Sequence, residues 1–189
     1  MNELYPIFIK MHQLKTVIIG AGEVASEKLH FLLKSSPNAQ VTLIAPEAKA
    51  EVPQVLAKYP NVRWIKKRFA PADLQEATIV VVATNFPDLN IQVWEHAKAQ
   101  GKLVNVADTP HLCDFYMGGI VTKGPLKIAI STNGQSPTMA KRLRQWLEEV
   151  IPDDITQLIS SLRAYRSTLK NDFEYKVKEL NRITQSLVE

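Results

Sequence analysis

Three groups of residues in this chain have types and spacing that suit chemistry. The first is Gly20-Ala21-Gly22-Glu23-Val24-Ala25, which fits the dinucleotide pattern G-x-G-x-x-G/A with Ala25 in the last place. Gly20 permits a tight turn, Gly22 lets backbone approach a pyrophosphate, and Ala25 lets helix and strand pack closely. The N–H groups of Glu23 and Val24 at the helix start then face the phosphates. An acid usually stands about 20 residues beyond the glycines to hold the ribose. Here that place falls near Ala45-Pro46, with Glu47 just beyond, so either Glu47 is expected to reach the ribose or backbone at Ala45 and Pro46 to line the adenosine. No arginine there favours a 2′-phosphate. The second group is Asp108-Thr109-Pro110, at the end of an expected strand, where catalytic groups of such folds collect; its bland reading is an Asp capping a turn. The third is the acid-free stretch Val121 to Leu147, with Lys123, Lys127, Lys141, Arg142 and Arg144, which suits an anionic ligand. It has no nucleic-acid motif and no aromatic interleaving, so a small polyanion fits better than nucleic acid.

These groups need elements to hold them. Thr16 to Ile19 is an unbroken β-branched run, expected as a strand buried on both faces. Ala25, Leu29, Leu32 and Leu33 then form an apolar helical stripe. Further strands are expected at Gln40 to Ala45, Asn61 to Lys66, Thr78 to Thr84 and Lys102 to Val106, with helices at Glu51 to Lys58 and Leu89 to Gln100. Leu4 to Ile9 reads as a short edge strand that tolerates Pro6. Alternating βα units imply a doubly wound parallel sheet, with Thr84 and Asn85 in the crevice beside the glycine turn. Lys66-Lys67-Arg68 is expected to be a solvated face. Two strands, Phe115 to Thr122 and Leu126 to Ser131, are expected to pair antiparallel across Lys123-Gly124-Pro125. Ser136 is a good N-cap with Pro137 in the first helical turn, and the helix aligns Met139, Leu143, Leu147 and Val150 on one face. Pro152 ends it; helices follow from Asp153 and from Glu174 to Leu187.

Of 189 residues, 46% are hydrophobic and 22% charged, the balance of a soluble globular protein. No apolar run reaches the roughly 18 residues of a membrane span, and no secretory signal is evident, so a cytoplasmic location is expected. One cysteine, Cys113, excludes an internal disulfide and agrees with a reducing compartment. His12, His30, His96, His111 and Cys113 show no metal-ligand spacing, so no protein metal site is expected.

Four stretches, PIFIKMHQLKTVIIGAGEVASEK, VVVATNFPDLN, NVADTPHLCDFYMGGIV and LKIAISTNGQSPTMAKRLR, together resemble the siroheme synthase N-terminal family of precorrin-2 dehydrogenases and sirohydrochlorin ferrochelatases. The resemblance covers roughly residues 5 to 150 and is most specific in the Ser-Thr-Asn-Gly-x-Ser-Pro turn and the basic helix after it. It implies a Rossmann-type doubly wound parallel sheet, then a small α/β dimerisation domain and a C-terminal helical tail, bounded at 1–112, 113–150 and 151–189. It implies NAD as hydride acceptor, precorrin-2 and sirohydrochlorin as tetrapyrrole substrates, ferrous iron as a further substrate in many members, and a homodimer. It places the catalytic proton acceptor at Asp108. Precorrin-2 carries eight carboxylates, so Ser131, Asn133 and Ser136 are expected to add hydrogen bonds, and Lys141, Arg142 and Arg144 charge. A dehydrogenase without iron insertion, and a non-catalytic NAD-sensing module, are the competing readings. The latter has no use for the Asp108 loop or the basic helix.

Overall fold

The computed structural model describes residues 3–170 and 172–185. The chain divides into two compact units, one of residues up to Gly118 with Asn133–Gln135, the other of Gly119–Thr132 with the residues from Ser136 onward.

In the first unit, β1 (Lys15–Ile19), β2 (Gln40–Ile44), β3 (Val62–Ile65), β4 (Ile79–Val82) and β5 (Leu103–Val106) form one sheet. Their order is β3-β2-β1-β4-β5 and every pairing is parallel. Helices α1 (Glu23–Ser35) and α2 (Val52–Lys58) lie in the crossovers on one side. There Ala25, Leu29, Leu32, Leu33 and Val52 pack on Ile18, Leu43, Ile79 and Val81. Helix α3 (Pro87–Ala99) covers the other face, where Val93 and Ala97 meet Ile19, Val80, Val82 and Val106. Both faces are therefore buried, which explains why β1 and β4 are continuous apolar runs. The order reverses at β1, so the crevice between the carboxyl ends of β1 and β4 is the topological switch point of the sheet.

The second unit pairs β6 (Gly119–Lys123) with β7 (Leu126–Ile130) antiparallel, and α4 (Pro137–Val150) packs on that hairpin. Ala140 and Arg144 lie against Gly119, where a Cβ would stand 3.3 Å from the Ala140 carbonyl oxygen. Helices α5 (Ile155–Thr168) and α6 (Phe173–Ile183) follow and contact each other. Lys123 clamps the α4–α5 corner, donating to the Ile151 carbonyl and to Asp153 at 2.9 Å.

Three expectations need correction. Leu4 to Ile9 is not a strand: the chain there is irregular, leads into a 3₁₀ turn at Met11–Gln13, and leaves Tyr5, Ile7 and Phe8 exposed. β-Branched and aromatic composition describes a half-buried pleated surface, and without a partner edge it makes no strand. The strand expected from Phe115 begins only at Gly119. Upstream, the Asp114 N–H is bound to the Val104 carbonyl (2.8 Å) and the Phe115 carbonyl to Asn105 (2.8 Å), so these residues run beside β5 instead. The last helix stops at Ile183; its expected end, Leu187, lies outside the described residues.

Candidate functional site

The glycine turn is built by two different constraints. Gly20 has φ +111°, and a Cβ there would stand 2.3 Å from the carbonyl oxygen of Ala83 at the end of β4. Only glycine fits this close approach of the turn after β1 to the end of its neighbour β4. Gly22 is the N-cap of α1, with nothing within 4 Å of where its Cβ would be. That open space, beside the first backbone N–H groups of α1, fits the pyrophosphate of a dinucleotide. The turn is anchored by Gly20 N–H to the Ile44 carbonyl (2.9 Å) and Lys49 N–H to the Ala21 carbonyl (3.0 Å). Glu23 is exposed and pairs with Lys49 at 3.3 Å, and Val24 is half-buried. Pro46 and Glu47 are both exposed just beyond β2.

At the end of β4, Thr84 is committed to its own loop. Its hydroxyl donates to Asn90 Oδ1 (2.6 Å) and accepts from the Phe86 N–H (3.1 Å), while Asn90 Nδ2 donates to the Thr84 carbonyl. Asn85, next to it, is exposed.

Asp108 follows β5 and is exposed, with φ +54°. Left-handed backbone is uncommon away from glycine, although Asp and Asn tolerate it best. Registers Ile19↔Val82 and Val82↔Val106 bring β1, β4 and β5 to one edge together. The glycine turn and the Asp108 loop thus leave the same edge two strands apart, about 10 Å at ordinary strand spacing. The loop is tied at its base by Cys113, whose Sγ accepts from the Val106 N–H (3.3 Å) and lies 3.4 Å from the Thr109 carbonyl. Burial pushes the Cys113 thiol above its ordinary pKa, against the opposing bond from Val106. That is the setting of an inert structural thiol, not a nucleophile. Asp114 has a structural task that its sequence did not reveal: its carboxylate accepts from the Val104 N–H (2.9 Å) and from Lys98 (2.6 Å), closing the edge of β5.

Sequence reasoning also missed Lys28, a half-buried lysine of α1 that donates to Asn105 Oδ1 at 3.1 Å. Burial lowers the pKa of its amine, against the charges of Cys113, Asp108 and Glu27. Two signals were available in the sequence. Lys28 stands three residues after Ala25, at the margin of the buried stripe, and Asn105 interrupts an otherwise apolar strand.

The substrate-side candidates lie around the turn from Ser131 to Ser136. Asn133 has φ +54° and precedes Gly134 at +75°. Thr132 Oγ1 accepts from the Ser136 N–H (3.2 Å), and Ser136 Oγ caps α4 by accepting from the Met139 N–H (3.2 Å). Ser131 is exposed at the end of β7. On α4, Lys141 and Arg142 are exposed, whereas Arg144 is half-buried and bound to Glu148 one turn on. The expected solvated run Lys66-Lys67-Arg68 is exposed, with Lys67 paired to Asp73. No helix among the described residues is long and apolar enough to cross a membrane.

Residues 7–119 match the family described as putative NAD(P)-binding, and residues 123–149 match the one described as sirohaem biosynthesis protein, central. The chain is 38% identical over 176 residues to the siroheme synthase of Pseudoalteromonas atlantica, covering 93% of this chain and 37% of that protein. It is 37% identical over 169 residues to the siroheme synthase of Hydrogenovibrio crunogenus, covering 88% and 35%. It therefore spans a little over a third of the length of these curated relatives. Among solved structures it is similar to SirC, a precorrin-2 dehydrogenase, with TM-score 0.78 and 26% identity over 95% of this chain and 89% of that one. The glycine turn and the family match agree that the cofactor is NAD, bound by a Rossmann domain. On these grounds the chain belongs to the siroheme synthase N-terminal family, whose dinucleotide-binding and central segments it carries in order.

Proposed function

We propose that this protein oxidises precorrin-2 to sirohydrochlorin, with Asp108 as the proton acceptor. The observation that carries the reading is an exposed carboxylate in left-handed backbone on the same sheet edge as the open glycine turn. Substrate carbon loses a hydride and a neighbouring position loses a proton, so the reaction needs an electron-pair acceptor and a base. NAD, when bound, supplies the hydride acceptor. The glycine turn and α1 start hold its pyrophosphate; Pro46, Glu47 and the backbone of Thr84 and Asn85 line its approach. The Asp108 carboxylate takes the proton, from a position exposed to solvent.

The same carboxylate is suited to iron insertion, where pyrrole N–H protons must leave as ferrous iron, here a substrate, enters. Ser131, Asn133, Ser136, Lys141 and Arg142 dock the substrate carboxylates, and Arg144 joins them only by leaving Glu148. The second unit also supplies the homodimer surface. Met139, Leu143, Trp146 and Val150, spaced 4, 3 and 4 residues apart on α4, are all exposed in the single chain. Such an apolar stripe calls for a partner, and a second copy of this chain, with residues 113–150 as dimerisation segment and a helical tail after Ile151, is the one proposed.

The test is Asp108→Asn, which keeps the shape and the left-handed tolerance but removes the base. NADH formation from precorrin-2 should fall at least about 100-fold while NAD affinity holds. Near-normal turnover in the folded variant would remove Asp108 from the mechanism. Ferrous iron added to sirohydrochlorin, followed by its visible spectrum, separates a bifunctional enzyme from a dehydrogenase alone.

A further inference from the structure

Lys28 is the group that the mechanism above leaves unused. Its ammonium is drawn out of solvent at the edge of α1 and donates to Asn105 Oδ1 (3.1 Å). Asn105 is only 4% exposed, and its Nδ2 donates to the Phe115 carbonyl (2.8 Å) and lies 3.5 Å from Cys113 Sγ. Cys113 in turn grips Val106 and Thr109. One chain of hydrogen bonds therefore runs from the ammonium, through a buried amide, to both ends of the loop that carries Asp108. The ammonium also lies within electrostatic range of the Asp108 carboxylate. A cation half-withdrawn from water, with a neutral amide as its acceptor, is a costly way to fill this margin; an apolar side chain would pack there without that cost.

We propose that Lys28 is a positioning residue for Asp108, its ammonium holding residues 106–115 through Asn105 and facing the carboxylate with positive charge. The inference rests on the reading of Asp108 as proton acceptor. Helix α1 connects β1 to β2, whereas the Asp108 loop follows β5 in the other half of the sheet, so the strut couples the dinucleotide helix to the catalytic loop. Its failure leaves the glycine turn untouched, so NAD binding and catalysis should separate.

The experiment compares Lys28→Met, Lys28→Gln and Lys28→Arg in the full chain. It reads kcat and KM with precorrin-2, NAD affinity, the urea midpoint, and amide hydrogen exchange across residues 106–115. Lys28→Met should lower kcat about 10- to 100-fold, the scale of a catalytic group displaced by about an ångström. NAD affinity should hold, the urea midpoint should fall only slightly as Asn105 Oδ1 loses its donor, and exchange in the loop should speed up about tenfold or more. Lys28→Arg should recover most of kcat, and Lys28→Gln, which keeps a donor without charge, should not. Wild-type kcat and unchanged loop exchange in Lys28→Met would overturn the proposal, as would loss of kcat in step with loss of stability and no rescue by arginine. If Lys28→Met does not fold, Lys28→Gln decides by the same readings. The two readings fail separately. An active Asp108→Asn sinks the proton acceptor even if the exchange change survives, whereas an inactive Asp108→Asn beside an unaltered Lys28→Met sinks only the strut.

Discussion

Alanine in place of Gly20 and of Gly22 should have opposite consequences, although the two glycines belong to one motif and stand two residues apart. At Gly20 an alanine must adopt φ +111° and press its Cβ to 2.3 Å from the Ala83 carbonyl oxygen and 2.9 Å from its carbon. Left-handed backbone costs an L-residue about 1–2 kcal/mol. Moving Ala83 weakens its N–H bond to the Ile19 carbonyl, now 2.9 Å, for about 1 kcal/mol more. Forcing a methyl into packed backbone adds about 1–3 kcal/mol. The expected loss is roughly 3–6 kcal/mol, or about 6 °C or more in Tm for a chain of this size. At Gly22 the Cβ meets nothing within 4 Å and φ is an ordinary −80°. A poorer N-cap and a less flexible unfolded chain offset each other, leaving a stability change of about 1 kcal/mol or less. The methyl instead occupies the space reserved for the pyrophosphate, and NAD affinity should fall at least tenfold, about 1.4 kcal/mol. Urea unfolding and NAD fluorescence titration of both variants form the assay. A Gly22→Ala protein that binds NAD normally, or a Gly20→Ala protein as stable as the parent, would refute the assignment of roles.

The remaining predictions concern the supports of the site and the second unit. Cys113 should react slowly with iodoacetamide at neutral pH, because burial holds its thiol protonated, and mass spectrometry of this one cysteine reads the rate directly. A raised folded pKa stabilises the fold fully below the unfolded thiol value and loses that contribution as pH climbs through the folded one. Cys113→Ala should therefore flatten the decline of the urea midpoint above about pH 8.5. Lys123→Met should cost about 1–2 kcal/mol by stranding the Ile151 carbonyl. It should also remove the acid-side loss of stability that appears as pH falls through the lowered Asp153 pKa, because the hydrogen bond and charge of Lys123 produce that lowering. Trp146→Glu, on the exposed stripe of α4, should give a monomer by sedimentation equilibrium; an unchanged mass would remove that stripe from the dimer surface.

The sheet was legible in the sequence because its strands are buried on both faces, so each writes itself as an unbroken apolar run between turn residues. The glycine turn was legible because Gly20 meets a backbone constraint that no other residue type meets as well, and Gly22 leaves open the space at the start of α1. The Ser136-Pro137 start of α4 was legible for the same reason: a hydroxyl cap and a proline in the first turn have one common use. Composition failed where structure depends on a partner. Leu4 to Ile9 has strand residues and no edge to join, and Phe115 to Gly118 was drawn away by hydrogen bonds to β5. Leu143 and Val150 were recognised as one face of α4, but a helical period cannot say whether that face meets its own chain; here Ala140 and Arg144 turn inward instead. Lys28 and Asp114 were passed over because their tasks lie in tertiary hydrogen bonds, to Asn105 and to Val104 and Lys98, and a charged residue on a helix or loop otherwise reads as solvated surface.

The backbone strain of the described residues is concentrated in a telling way. Outside glycine, only Asp108 and Asn133 among them take positive φ, both at +54°. Asp and Asn are the side chains that bear this conformation at least cost, yet glycine would bear it at less, so stability alone does not explain either choice. One stands where β5 delivers the proposed base and the other opens the turn into the basic helix. If shape were the whole requirement, glycine at both positions would give a protein at least as stable and equally active. If side-chain chemistry is the requirement, Asp108→Gly should raise the urea midpoint slightly while abolishing NADH formation. A gain in stability joined to a loss of turnover at one residue is a result that the bland reading, an aspartate that merely caps its turn, does not produce.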